Sequence, residues 1–360
     1  MGFHVFIILL LLLLAVLTIG VKENKVQKKI YLFLTFCVLF FISAFRSKNI
    51  GNDTGAYINL YDIFGRSSSA AAYNSGIEAG YVFLNRVLFS ITDNWFILLA
   101  VISFFVLAIE MIFIYRNSNN VWLSVFLFIN LRLFYFTLTG LRQSIAIAIV
   151  LISYKFVKEK RILLFILCIL TASLFHTSAL GMIILYPLAH FKFNKSTILI
   201  GTSIAILVFM LFERYLLFIV NLLPTYSNYL DSKYLDAGVK LASFLEFLVI
   251  IVIFIFVIIT TRKNRDNLTS DVNFMLNTTF IGVLVGFLAL RTIMLDRYLL
   301  YFTAFIIIFL PNAINNLQNK KLRIITIYIV LIMFMVYNLV ILYFKPEWNH
   351  LYPYEFNFNF

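Results

Sequence analysis

Apolar runs of about 16 to 22 residues recur from one end of this chain to the other. A helix of that length crosses the hydrocarbon core of a bilayer, at roughly 1.5 Å per residue. The chain has 360 residues, 62% of them apolar, and a mean hydropathy of +0.97. One soluble core cannot hide that much hydrocarbon. A membrane β-barrel would show short alternating segments, and the sequence shows none. The pattern predicts an all-α, polytopic transmembrane protein of about twelve spans. No internal repeat or linker divides it, so residues 1–360 read as a single membrane domain.

Charge sets the expected topology. Lysines and arginines cluster in short loops: Lys22 to Lys29, Arg116, Lys155 to Arg161, Lys192 and Lys195, Arg262 to Arg265, and Lys320 to Arg323. The positive-inside rule assigns these loops to the cytoplasm and both chain ends to the outside. The net charge of +13 then reflects topology and not a nucleic-acid partner. Two polar outer loops follow, about 46–94 and 213–240, with residues 81–92 in the first as a short amphipathic or re-entrant helix. Residues 121–136 and 177–190 each read as one span. Cys37 and Cys168 lie inside apolar runs and offer no disulfide framework or zinc spacing. The start lacks a basic n-region and a small-residue cleavage site, so the first apolar run is expected to be a retained span.

On this topology the chemistry-bearing residues gather at the outer face. They are Arg46, Asp53, Tyr57, Tyr61 and Glu78 from the first outer loop, then Arg142 and Gln143, then His176, then Arg291, Asp296, Arg297 and Tyr298. Ionisable residues at the edge of a span are expensive to keep and point to function. No Gly-rich phosphate loop is present, which excludes a Walker-type ATP site. A substrate at the outer leaflet must then arrive already activated. Guanidinium forks suit a diphosphate, because they bind phosphate oxygens bidentately and stay charged when partly buried. Arg142, Gln143, Arg291 and Arg297 are the diphosphate-binding candidates. Asp53, Glu78 and His176 are the candidates for taking a proton from an attacking hydroxyl. Tyr57, Tyr61 and Tyr298 could meet sugar rings. The combination fits a polyprenyl-diphosphate-linked sugar, and it calls for no cofactor or metal.

Several short motifs carry a resemblance. They are Arg46 with Gly51-Asn52-Asp53, Tyr57 and Tyr61; Glu78-Ala79-Gly80-Tyr81 with Leu84-Asn85; Gly140-Leu141-Arg142-Gln143 with Ala146; Phe175-His176-Thr177-Ser178-Ala179; Asp296-Arg297-Tyr298; and Trp348, Tyr352, Pro353 and Tyr354. In order and spacing they resemble the EpsG family and related Wzy-type polymerases of bacterial surface polysaccharides. Where family members often carry an aromatic after the Gly-x-Asp acid, this chain has Thr54. The resemblance implies a metal-independent glycosyltransferase similar to the helical C class (GT-C). It would act on undecaprenyl-diphosphate-linked oligosaccharide at the outer face of the bacterial inner (cytoplasmic) membrane and build O-antigen or a related surface polysaccharide. It also implies a flippase and a chain-length regulator as partners. Two other functions fit the scaffold: a transporter of the same lipid-linked sugars, and a ligase or acyltransferase. A transporter would need repeated halves or a polar path at mid-span, which the sequence lacks.

Overall fold

The computed structural model describes residues 2–20, 24–212, 214, 241–261, 270–292 and 294–358. The described residues are helical apart from turns and one isolated β-bridge. Among the described residues, six helices are long and apolar enough to cross a membrane: Lys25–Ala44, Phe96–Asn117, Ser243–Thr261, Ser270–Ala289, Leu295–Asn315 and Lys320–Phe344. Shorter apolar helices, including Gly2–Thr18, Val121–Asn130, Ile162–Ser173 and Lys195–Met210, accompany them. This is the composition and architecture of a polytopic membrane protein. Its side chains bear that out, because large apolar residues such as Leu163, Leu199 and Met210 stand exposed on helix faces.

The chain forms two compact units, residues 1–183 with 307–360, and residues 184–306. In the first, Lys25–Ala44 packs on Phe96–Asn117, which packs on Leu141–Lys158, which packs on Ile162–Ser173. In the second, Ser270–Ala289 packs against Leu241–Thr261, Leu185–His190 and Lys195–Met210. Small residues set the close approaches there. A Cβ at Gly201 would fall 2.7 Å from the Phe280 ring.

Three stretches depart from the sequence expectation. Residues 46–80, expected as a loop, contain the helices Thr54–Arg66 and Ser69–Tyr73. Ser68 caps the latter by accepting from the Ala71 N–H. The run 121–136 breaks into Val121–Asn130 and Leu133–Thr137, because Arg132 takes a left-handed conformation at φ 69°. The run 177–190 is a 3-10 helix, Thr177–Ile184, followed by Leu185–His190. Of the expected second outer loop, 213–240, all but Arg214 lies outside the described residues.

The C-terminal tail lies against residues 42–52. Asn357 N–H donates to Phe45 O (2.8 Å), Ser47 N–H to Glu355 O (2.9 Å) and Gly51 N–H to His350 O (3.2 Å). Asn52 Nδ2 donates to Trp348 O (3.0 Å) and the Tyr354 hydroxyl to Ile42 O (2.7 Å). The motif residues at the two ends of the chain are thus neighbours.

Candidate active site

Two glycines place the chemistry. Gly51 sits at φ 91°, and a Cβ there would lie 2.3 Å from Leu138 O. Only glycine fits both the left-handed backbone and the close approach. Beside it the Thr54 hydroxyl reaches Ile50 O (2.6 Å) and Leu138 O (3.1 Å). Together they tie the loop after Arg46 to the chain just ahead of the Leu141–Lys158 helix. Gly80 does the same for the next loop. Its N–H donates to Leu174 O (2.9 Å), and a Cβ would meet that oxygen at 2.8 Å. Glu78 is thereby set against His176.

The result is a three-membered polar centre. Arg142 Nη1 donates to Glu78 Oε2. His176 Nδ1 donates to Glu78 Oε1 at 3.2 Å, and the Thr177 N–H approaches the same oxygen at 3.4 Å. The Arg142 guanidinium also lies 6.0 Å from the centre of the Tyr57 ring, whose edge packs on Tyr81 at 5.6 Å. The side chains keep 24%, 14% and 15% exposure for Arg142, Glu78 and His176, so the centre is recessed but open. Burial pushes the Glu78 carboxyl up, but the hydrogen bond from His176 and the charge of Arg142 outweigh it and hold the acid at about 2. An ionised carboxylate only accepts. The hydrogen shared with His176 therefore sits on Nδ1, and in the neutral ring Nε2 carries the lone pair. Arg142 Nε is buried without an acceptor among the described residues.

The other sequence candidates have surroundings of their own. Asp53 is the exposed residue before Thr54–Arg66, and its side chain makes no capping hydrogen bond. Gln143 is buried in the helix start, turned about 100° from Arg142. The Tyr61 ring is 1% exposed, with its hydroxyl on Thr92 O (2.6 Å). Tyr57 is 6% exposed. The Tyr57 ring packs on Tyr81 and the Tyr61 ring on Phe89. Arg291, Arg297 and Tyr298 belong to the second unit. There Arg291 lies over Phe209 at 5.9 Å, and Asp296 accepts from Ser243 Oγ at 2.8 Å.

Two guanidiniums were undervalued by sequence reasoning. Arg132 is buried, 3.4 Å from Asn338 Oδ1 and over the rings of Tyr135 (5.6 Å) and Trp348 (5.9 Å). Asn338 Nδ2 continues the network to Asn130 Oδ1 at 3.3 Å. A single arginine inside the run 121–136 was the available signal. Arg46 is wholly buried; one N–H donates to Ser43 O, while Nε and Nη2 have no acceptor among the described residues.

The linkage at Glu78 has a defined sign. Its folded pKa lies below the ordinary 4.5, so its contribution to stability is complete above about 4.5 and fades as pH falls towards 2. Glu78→Gln is expected to flatten the acid limb of thermal stability in that window and to leave the neutral-to-alkaline limb unchanged. Thermal unfolding of the purified protein between pH 2 and 8 measures it. An unaltered acid limb in the variant would show that Glu78 is not the titrating partner.

A helical membrane protein with a recessed Arg–Glu–His centre is the class these observations define. A family model described as the EpsG family matches residues 29–356. The chain belongs to the EpsG family, which marks it as a membrane protein of polysaccharide biosynthesis. No curated protein and no solved structure matches the chain.

Proposed function

We propose that this protein polymerises undecaprenyl-diphosphate-linked oligosaccharide repeat units into O-antigen or a related surface polysaccharide. The observation that carries it is the Arg142–Glu78–His176 centre. Arg142 holds a diphosphate and stabilises the negative charge that grows on it as the glycosidic bond breaks. His176 Nε2 takes the proton of the incoming unit's hydroxyl, oriented by Glu78 on the other ring nitrogen. The growing chain passes from its carrier to that hydroxyl, and undecaprenyl diphosphate leaves. No metal or cofactor has a step in this scheme.

The topology that goes with it has about twelve spans on a C-class-like scaffold, with the centre facing the periplasm of the inner membrane. A flippase would supply the repeat units, and a separate regulator would set chain length. Arg291, Arg297 and Asp53 are further candidates for carrier or sugar contacts. Deleting the gene is expected to reduce the surface polysaccharide, resolved on a gel, to a single repeat unit. Polymer retained on the undecaprenyl carrier would identify a ligase instead, and loss of all surface sugar would identify a transporter.

A further inference from the structure

We propose that the first unit binds an anionic phospholipid at the end of the Leu141–Lys158 helix remote from Arg142, with the phosphate on Arg116, Lys155 and Lys158. A cavity of about 300 Å³ lies there between Phe96–Asn117 and Leu141–Lys158. Its wall is Ile109, Ile112, Phe113, Leu151 and Ile152; the three cations form its rim, all in the last turns of the two helices. From Ile109 to Arg116 the wall extends about 10 Å along the helix, enough for the upper part of an acyl chain. A cationic rim above an apolar wall fits a lipid headgroup with its chain, whereas a free phosphate would use the rim alone.

The rim is braced. Lys158 Nζ donates to Asn117 Oδ1 (2.7 Å) and stands 4.7 Å from the Tyr154 ring centre. Asn117 is itself fixed, with Nδ2 on Phe113 O (2.9 Å) and its backbone oxygen accepting from Asn312 Nδ2 (2.8 Å). Lys155 meets Glu159 only at 3.8 Å, and that acid also pairs with Arg161 at 3.3 Å. Positive charge is in excess. Helix C-termini favour cations by themselves, but that effect needs no cavity beneath them. Sixteen residues, about 24 Å of helix, separate Lys158 from Arg142, so the lipid would sit at the opposite membrane face from the polar centre.

The test is native mass spectrometry of the purified full chain, offered equal phosphatidylglycerol and phosphatidylcholine with identical chains. The wild type is expected to retain phosphatidylglycerol by about tenfold over phosphatidylcholine. The variant R116Q/K155Q/K158Q should bind both equally. The variant K320Q/K321Q/R323Q removes the same charge elsewhere and should behave as wild type. Ile152→Trp fills the wall, leaves the cations in place, and should also lose the preference. Persistence of the preference in the rim variant, or in Ile152→Trp, overturns the proposal. Equal loss in both triple variants does so too, by revealing a diffuse basic surface. Inorganic phosphate displacing phosphatidylglycerol from the wild type would refute the role of the acyl chain.

Discussion

Arg142→Ala is expected to stop chain growth while leaving the protein at its normal level in the membrane. The side chain donates to Glu78, lies near Tyr57, and keeps part of its guanidinium exposed. A guanidinium held in that way is ready for an anion. Losing one such donor to a developing charge costs about 10²- to 10³-fold in rate. In vitro, polymer formed from a lipid-linked repeat unit should fall by that factor. Arg142→Lys keeps the charge but loses the planar fork, and should recover only part of the activity. The stability cost should be modest, because the side chain is 24% exposed and Glu78 keeps His176 as a partner. A polymer ladder of unchanged length in the alanine variant would remove Arg142 from the mechanism.

Gly51→Ala is expected to act through the fold. A Cβ at Gly51 meets Leu138 O at 2.3 Å and Thr54 Oγ1 at 2.7 Å, with the backbone at φ 91°. The oxygen is main chain and cannot swing aside. Backbone strain of this kind costs about 1–3 kcal/mol before the clash is added. The purified variant should lose about 5 °C or more in Tm. Gly55 provides the control. A Cβ there meets nothing within 4 Å and lies inside the Thr54–Arg66 helix. Gly55→Ala should be neutral or gain up to about 1 kcal/mol. Equal Tm values for the two variants would show that the loop is not docked on Leu138.

The helical, membrane-bound character of the chain was legible because hydrocarbon at helical length has few other uses. The helices Thr54–Arg66 and Ser69–Tyr73 were missed because their polar, glycine- and serine-bearing sequences look like turn material, and tertiary packing decides them. At the site, Glu78, Arg142 and His176 were each picked out, but no spacing could reveal that one carboxylate bridges the other two. Sequence separations of 64 and 98 residues hide such a contact. The tyrosines pose the opposite problem. Residue type cannot distinguish a ring that faces solvent from one whose hydroxyl is already bonded, as in Tyr61. Arg132 was overlooked because hydrophobicity averaged over its run masks one cation.

The pairing of residues 45–52 with the tail has a consequence for biogenesis. The two partners stand roughly 300 positions apart in the chain. Ribosomes add about 5 to 20 residues per second, so the early segment must wait some 15 to 60 s for its mate. During that interval the Gly51 and Ser47 amides lack their final acceptors. The docking of residues 350–357 on this early segment is thus completed only after they are synthesised, and termination ahead of His350 should leave inserted protein that lacks it.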